Sequence, residues 1–270
     1  MIPSPRITSR QNSHVKDAVR LRSGHERRAQ QRIIVDGARE ITRAIESGVR
    51  PIKAFVCEEL CTSAASQTAV SMVQGTRAEL LAVSPEVFEK LAFGERNDGL
   101  VLVAETPRNT PSDLKLPAQP LVAVLEGLEK PGNVGAILRS ADAAGVDAVI
   151  VTDGQTDLFN PNTIRASLGT VFRKNVCEAP LTDTINWLNE NGLQVVAARP
   201  DAELLYTDAN LRVGAAIVLG SEATGLSSVW SDAGATAVRL PMLGIADSLN
   251  VSTTAAVLFY EALRQRNSFE

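Results

Sequence analysis

Three stretches of this sequence place polar side chains among glycines just after apolar runs, where an α/β protein could bind a ligand. The first stretch carries Asn133 and Arg139, six residues apart. The second carries Glu222, and the third carries Ser248 and Asn250. Amide, hydroxyl, carboxylate and guanidinium groups together supply hydrogen-bond donors and acceptors of both charges. These five residues are therefore the candidates for site chemistry.

Each candidate also has a plain structural interpretation. Asn133 stands at a predicted helix start, where asparagine is a good N-cap. Arg139 interrupts an apolar run and could form a buried salt bridge inside a domain core. Glu222 could be a helix N-cap group or a ligand contact, and Ser248 and Asn250 could simply cap the last helix. Taken singly, none of these residues defines a function.

Alternating strand and helix patterns surround these residues from position 121 onward. Apolar runs predict strands at 121–126, 147–153, 193–198, 215–220 and 236–241, with a further strand region at 171–179. Helices are predicted at 133–145, 160–168, 182–191 and 249–266. The alternation predicts a mostly parallel, doubly wound sheet that binds ligands outside the carboxyl ends of its strands.

The usual dinucleotide-binding signature is absent after the first of these strands. Gly127, Gly132 and Gly135 do not have the G-x-G-x-x-G spacing. That spacing allows the backbone to approach a pyrophosphate closely. A nicotinamide dehydrogenase and an ordinary Rossmann methyltransferase are both disfavoured.

A smaller α/β domain is predicted before residue 106. Its predicted elements are a helix at 36–48, strands at 52–57 and 99–105, and a helix with Ser84 as N-cap and Pro85 as its first residue. Four prolines between 106 and 120 predict a linker, since proline fixes φ and lacks a backbone donor. The predicted organisation is a first domain at 1–105, a linker at 106–120 and a second domain at 121–270.

Charge is distributed unevenly along the 270 residues. Residues 1–53 hold 12 Lys and Arg against 5 Asp and Glu, whereas the remainder holds 15 against 26. A basic segment on an acidic body is typical of an element that faces nucleic acid. A solvated, arginine-rich helical face is the alternative.

Composition excludes several other classes of protein. No apolar stretch approaches the ~20 residues of a transmembrane helix, and the first 16 residues lack the apolar core of a secretory signal. The cysteines at 57, 61 and 177 fit neither a disulfide framework nor a zinc ribbon. We expect a cytoplasmic protein that binds neither membrane nor metal.

In their order along the chain, the three stretches resemble the motifs of the SpoU (TrmH) family of SPOUT RNA methyltransferases. The matches read N-x-G-A-I-x-R, G-S-E-x-x-G-L and P-M-x-G-x-x-x-S-L-N-V-S, and the resemblance covers 121–266. The segments RITSRQNSHVK and DGAREI are similar to a small, ribosomal-protein-like RNA-binding domain that often precedes this catalytic domain.

The resemblance implies a fold, a cofactor, a partner and a reaction. The second domain would be a mostly parallel sheet whose C-terminal part is tied in a deep trefoil knot, although chains are generally unknotted. The cofactor would be S-adenosylmethionine, bound in the knot of a homodimer with active sites near the subunit interface. The reaction would methylate a ribose 2′-hydroxyl, with ribosomal RNA the preferred substrate and transfer RNA left open.

The resemblance also implies roles for individual residues. The cofactor would be held by Leu219, Gly220, Leu240, Met242, Ser248 and Leu249. Arg139 would meet the ribose and its phosphate, while Asn133, Glu222, Ser248 and Asn250 would position Arg139, the RNA or the cofactor loop. A guanidinium stays protonated under physiological conditions, so we expect Arg139 to orient these groups rather than act as a simple base.

Two further functions are compatible with the same fold. One is a non-catalytic RNA-binding or ribosome-binding protein, and the other is an enzyme that methylates a base nitrogen. The presence together of Asn133, Arg139, Ser248 and Asn250 argues against the first, and the N-x-G-A-I-x-R motif favours ribose over base. Trp187 and Trp230 lie in apolar contexts, so we expect them in the core rather than stacked on bases.

Overall fold

The computed structural model describes residues 6–93 and 97–267. The helices are α1 (Ser13–Arg20), α2 (Gly24–Gln30), α3 (Ala38–Glu46), α4 (Ala64–Gln74), α5 (Pro85–Leu91), α6 (Pro131–Ala143), α7 (Pro161–Ala166), α8 (Leu181–Glu190), α9 (Val229–Asp232) and α10 (Val251–Arg266). The strands are β1 (Arg32–Asp36), β2 (Pro51–Val56), β3 (Glu79–Ala82), β4 (Leu100–Glu105), β5 (Leu121–Glu126), β6 (Ala148–Thr152), β7 (Val176–Glu178), β8 (Gln194–Ala198), β9 (Leu204–Leu205), β10 (Ala215–Leu219) and β11 (Thr236–Arg239). Short 3₁₀ turns lie at Pro111–Asp113 and Thr170–Phe172.

The chain divides into two compact units. The first comprises residues 1–107 together with 159–172, and the second comprises 108–158 and 173–270. The segment 159–172 therefore groups with the first unit, although the sequence pattern places it in the second predicted domain. Residues 1–5, which contribute to the expectation of no secretory signal, lie outside the described residues.

The first unit is built on a four-stranded sheet in the order β1-β4-β2-β3. Strand β4 runs antiparallel to β1 and β2, and β2 runs parallel to β3. Val15, Phe55, Phe88 and Val101 pack together in its core. Helix α5 begins as the sequence predicts, with the Ser84 hydroxyl accepting from a backbone N–H in the first turn.

The segment 159–172 is an integral part of the first unit. Helix α7 packs against β1, and the 3₁₀ turn packs against α3. The Arg43 guanidinium donates to the Leu168 carbonyl at 2.6 Å. Gly169 has φ +85°, and a side chain there would come within 3.3 Å of the Glu40 Cα, so this close approach requires glycine.

The second unit confirms the predicted parallel sheet. Its seven strands run in the order β7-β6-β5-β10-β8-β11-β9, and every neighbouring pair is parallel. Every residue of β5, β6 and β10 is buried, as expected for strands covered on both faces. The chain moves outward from β5 to β7 and then returns to the far side of β10. Open α/β sheets bind their ligands where the strand order reverses in this way, outside the carboxyl ends of the strands.

Three predicted details require correction. Helix α6 begins at Pro131 with Lys130 as N-cap, so Asn133 lies within the first turn rather than at the cap. Only Val176–Glu178 of the predicted strand region 171–179 is a strand, and the start of that region lies in the 3₁₀ turn Thr170–Phe172. Helix α10 begins at Val251, and Asn250 caps it, accepting from the Ser252 N–H at 2.9 Å.

Trp230 belongs to the core of the second unit, and Trp187 is partly buried against that core. Trp230 is 1 % exposed and packs in a cluster with Val124, Ile150 and Leu188, and Trp187 packs at the edge of the same cluster. The buried ring of Trp230 is not accessible for base stacking. None of the described helices is both long and apolar enough to cross a membrane.

The three cysteines are free thiols in ordinary packed environments. Burial raises the pKa of the Cys57 and Cys61 thiols to about 11 and that of the Cys177 thiol to about 12. All three are therefore protonated at neutral pH, which does not favour nucleophilic chemistry. Among residues 6–93 and 97–267, no group of three or more His, Cys, Asp or Glu could hold a metal ion.

Candidate functional site

A cavity of about 280 Å³ lies in the second unit, at the carboxyl ends of β8, β10 and β11 and beside the start of α10. All six residues predicted to hold a cofactor line this cavity: Leu219, Gly220, Leu240, Met242, Ser248 and Leu249. The sheet brings the second and third motifs to one edge, because parallel strands end at the same edge. The lining is mainly apolar with a few polar groups, as in many small-molecule sites.

Several lining residues were not predicted from the sequence. Arg199 and Pro200 follow β8, Arg239 ends β11, and Asp247 precedes the predicted Ser248. The signal that could have found Arg199 and Arg239 was their position at the carboxyl ends of predicted strands. Their contribution depends on β8 lying between β10 and β11, an order that the sequence pattern does not specify.

The turn after β10 is held in shape by a close backbone crossing. A Cβ on Gly220 would lie 2.4 Å from the Gly225 carbonyl carbon, so only glycine fits at this position. The Ser221 hydroxyl accepts from the Ala223 N–H at 3.1 Å and from the Thr224 N–H at 3.4 Å. No helix begins here, so Glu222 is not a helix cap but a member of the cavity wall.

A chain of hydrogen bonds joins the three predicted motifs beside the cavity. The Asn133 Nδ2 donates to Glu222 Oε1, and the Asn250 Nδ2 donates to Asn133 Oδ1 at 3.4 Å. The orientation of Asn250 is set by its other end, because its Oδ1 accepts from the Ser252 N–H and hydroxyl. The Lys130 ammonium lies 3.9 Å from Glu222 Oε1. Asn133, Glu222 and Asn250 thus form one network, as their assignment to a single site requires.

Arg139 departs from the prediction that it lies inside the core. Its side chain is exposed, does not line the cavity, and makes no hydrogen bond or ion pair with any described residue. The buried face of α6 carries Ile137, Leu138 and Ala141, and Arg139 projects from the opposite side. Six residues of helix place it about 240° around the axis from Asn133. The interpretation as a buried salt bridge is therefore wrong.

The cavity wall carries charge of both signs. Arg199 donates to both carboxylate oxygens of Asp201 at 3.0 Å. These hydrogen bonds raise the pKa of Arg199 and lower the pKa of Asp201. Arg239, Asp247 and Glu222 also line the cavity. A ligand that carries both an ammonium and a carboxylate would find groups of opposite charge here.

The fold and the site together define the class of this protein. It is a two-unit α/β protein with a small-molecule pocket at the carboxyl edge of a parallel sheet. A family model described as the SpoU rRNA Methylase family matches residues 120–260, and one described as an MRM3-like substrate binding domain matches residues 12–102. The chain belongs to the SpoU family, which confirms the resemblance seen in its motifs.

Known proteins are similar to this chain over almost its whole length. A 23S rRNA (uridine(2479)-2′-O)-methyltransferase of Streptomyces viridochromogenes is 29% identical over 275 residues, covering 97% of this chain and 93% of that protein. A crystal structure of an RNA 2′-O ribose methyltransferase is 43% identical with a TM-score of 0.84, covering 97% and 99%. The SpoU methyltransferase AviRb from S. viridochromogenes, solved with AdoMet, is 25% identical with a TM-score of 0.87, covering 96% and 100%.

Proposed function

We propose that this chain is an enzyme that uses S-adenosylmethionine to methylate a ribose 2′-hydroxyl of RNA. The observation that carries the proposal is the convergence of all six predicted cofactor contacts on one cavity, with the Asn133–Glu222–Asn250 network at its edge. Membership of the SpoU family and the similarity to named 2′-O-methyltransferases support it. We propose ribosomal RNA as the substrate class and the cytoplasm as the place of action.

The cavity fits a purine nucleoside joined to an amino acid. Leu219, Leu240 and Met242 supply apolar surface, and Gly220 lines the cavity beside them. Arg239 and Asp247 offer opposite charges for a carboxylate and an ammonium. When bound, S-adenosylmethionine supplies the methyl group, and the protein provides binding and orientation.

The residues of this chain contribute mainly by placement. A ribose hydroxyl is a weak nucleophile, and holding it in line with the methyl group can supply much of the rate enhancement. The network through Asn133 fixes the Glu222 carboxylate against the cavity. The guanidinium of Arg139 can bind a phosphate through two parallel hydrogen bonds and so orient the neighbouring ribose.

We propose that a second copy of the chain completes the site. Arg139 faces solvent on α6, away from the network and the cavity of its own chain. The loop that carries Ser248 also exposes Leu243 and Ile245 almost completely, and Tyr260 is half exposed on α10. Apolar side chains exposed beside a site are typical of an interface. In a homodimer, Arg139 would serve the cavity of the partner.

We propose that the first unit binds the RNA backbone. The structure assigns some of its basic residues to structural roles, since Arg22 donates to the carbonyls of Lys90 and Ala92 at the end of α5. The cations best placed for phosphates are those that remain exposed and form no side-chain hydrogen bond or ion pair with a described residue, Lys16, Arg28 and Arg32 among them. A substrate-binding role is supported by the family model over residues 12–102.

Calorimetry with S-adenosylmethionine tests the proposal against a non-catalytic RNA-binding protein. We expect the full chain to bind one cofactor per cavity and Gly220→Val to bind none, because its side chain would occupy the space of the Gly225 backbone. Leu188→Ala, which perturbs the same unit away from the cavity, is the control for general destabilisation. Absence of binding by the wild-type chain would refute the enzymatic function.

A further inference from the structure

A buried carboxylate outside the predicted motifs anchors the wall of the cavity. Glu126 is the last residue of β5 and is only 7 % exposed. Its Oε2 accepts from the Ser227 N–H at 3.1 Å and from the indole Nε1 of Trp230 at 3.0 Å. A carboxylate is costly to bury unless its oxygens are hydrogen-bonded, so this arrangement holds all three groups together.

The donors to Glu126 end the turn that carries Glu222. The turn leaves β10 at Gly220, folds back so that Ser221 pairs with Gly225, and reaches Glu126 through Ser227. It is therefore fixed at its start by the close crossing at Gly220 and at its end by the Glu126 carboxylate. Glu222 lies between these two fixed points.

We infer that Glu126 is a positioning residue for the cofactor cavity. It holds the turn after β10 so that Glu222 meets Asn133 and the cavity wall keeps its shape. Glu126 itself does not line the cavity, so its effect passes through the turn. This inference rests on the proposed function, since the property that it controls is the binding of S-adenosylmethionine.

The alternative is that Glu126 serves only the stability of the core. Trp230 and Leu188 pack in the same core cluster. Loss of packing at either residue therefore lowers the stability of the second unit. The two roles differ in what they do to the folded protein. A positioning role changes cofactor affinity at temperatures where the variant is fully folded, whereas a purely structural role changes only the melting temperature.

The test compares Glu126→Leu with Glu126→Gln and Leu188→Ala in the full chain. S-adenosylmethionine affinity is measured by calorimetry well below each melting temperature, and the KM for the cofactor and kcat are measured with RNA. We expect Glu126→Leu to weaken cofactor binding by about tenfold or more, because hydrogen bonds to a charged group are lost. Glu126→Gln keeps an acceptor oxygen and should restore affinity to within about twofold. Leu188→Ala should lower stability without changing affinity.

Trp230→Phe supplies a second test should Glu126→Leu not fold. It keeps an aromatic ring in the core and removes one of the two donors to Glu126, so we expect a smaller weakening in the same direction. The inference is overturned when the wild-type chain binds the cofactor and the variants at 126 and 230 bind it equally well. Failure of the wild-type chain to bind would instead refute the proposed function.

Discussion

Asn133 has to donate and accept hydrogen bonds at the same time. Its Nδ2 donates to the Glu222 carboxylate, and its Oδ1 accepts from Asn250. A carboxamide is the short side chain that offers both functions from one planar group. This explains why asparagine, rather than aspartate, suits this position beside a carboxylate.

Substitution of Asn133 by Asp should be more damaging than substitution by Ala. The shape is kept, but a donor is lost and a second negative charge faces Glu222, which like-charge repulsion disfavours. We expect kcat/KM for methyl transfer to fall by about tenfold or more in Asn133→Asp. Steady-state kinetics of both variants checks this. Wild-type turnover in Asn133→Asp would rule out the network as described.

The buried hydroxyl of Thr152 is expected to add nothing to the free energy of unfolding. It ends β6, is 0 % exposed, and its Oγ1 has no hydrogen-bond partner within residues 6–93 and 97–267. An unsatisfied buried hydroxyl costs about 1–3 kcal/mol. Thr152→Val keeps the shape and removes that cost, so we expect an unchanged or higher free energy of unfolding in a urea titration. A loss of stability would show that the hydroxyl has a partner.

At the scale of elements, prediction succeeded where strands are buried on both faces. The predicted strand 121–126 is identical to β5, and the predicted strand 215–220 contains β10. A short continuous apolar stretch is typical of a strand that is buried on both faces of a parallel sheet. Helices α1 and α2 were not predicted, because both are mostly polar. The buried residues of α1 are Val15 and Ala18, and α2 buries Arg27. Periodicity reports burial within an element and cannot report which elements become neighbours.

At the candidate site, too, the sequence pattern did not reveal which distant residues become neighbours. The six residues predicted to hold a cofactor were found because each lies in or directly before a recognisable motif, and all six line one cavity. Glu126 was missed, although it ends a predicted strand, because its partners lie about a hundred residues later. The exposure of Arg139 was missed because an arginine within an apolar run suggests a core, whereas the helix turns it outward.

The basic residues on α1, on α2 and at the start of β1 should set the salt dependence of RNA binding. Changing Lys16, Arg28 and Arg32 together to Gln removes the three cations proposed to contact phosphates. The slope of log K against log salt should then become shallower by about 2 to 3. The control changes Arg10 and Arg50, which already pair with Glu89 and Glu105. Equal slopes for the two variants and the wild-type chain would place RNA binding elsewhere.

At the scale of the whole molecule, the position of Arg139 predicts complementation between two inactive chains. Arg139→Ala should bind S-adenosylmethionine normally and fail to transfer methyl, because Arg139 does not line its own cavity. Gly220→Val should lack a usable cavity. In mixed dimers, the intact cavity of one chain meets the intact Arg139 of the other. An equal mixture should recover roughly a quarter of wild-type activity.

The recovered methyl-transfer activity has to come from dimers that contain one chain of each variant. Differently tagged chains, copurified after mixing, establish that the two variants associate. Copurified mixed dimers without activity would show that Arg139 acts on the cavity of its own chain.

Locating the methyl group on the RNA tests whether this chain methylates a ribose 2′-hydroxyl. Purified chain is incubated with labelled S-adenosylmethionine and ribosomal RNA from cells that lack the protein, and the RNA is then hydrolysed with alkali. Alkaline cleavage requires a free 2′-hydroxyl, so a 2′-O-methyl group protects the adjoining phosphodiester. We expect label at one position, retained in an alkali-resistant dinucleotide. Label recovered in an ordinary mononucleotide would place the methyl group on a base and refute methylation of the ribose.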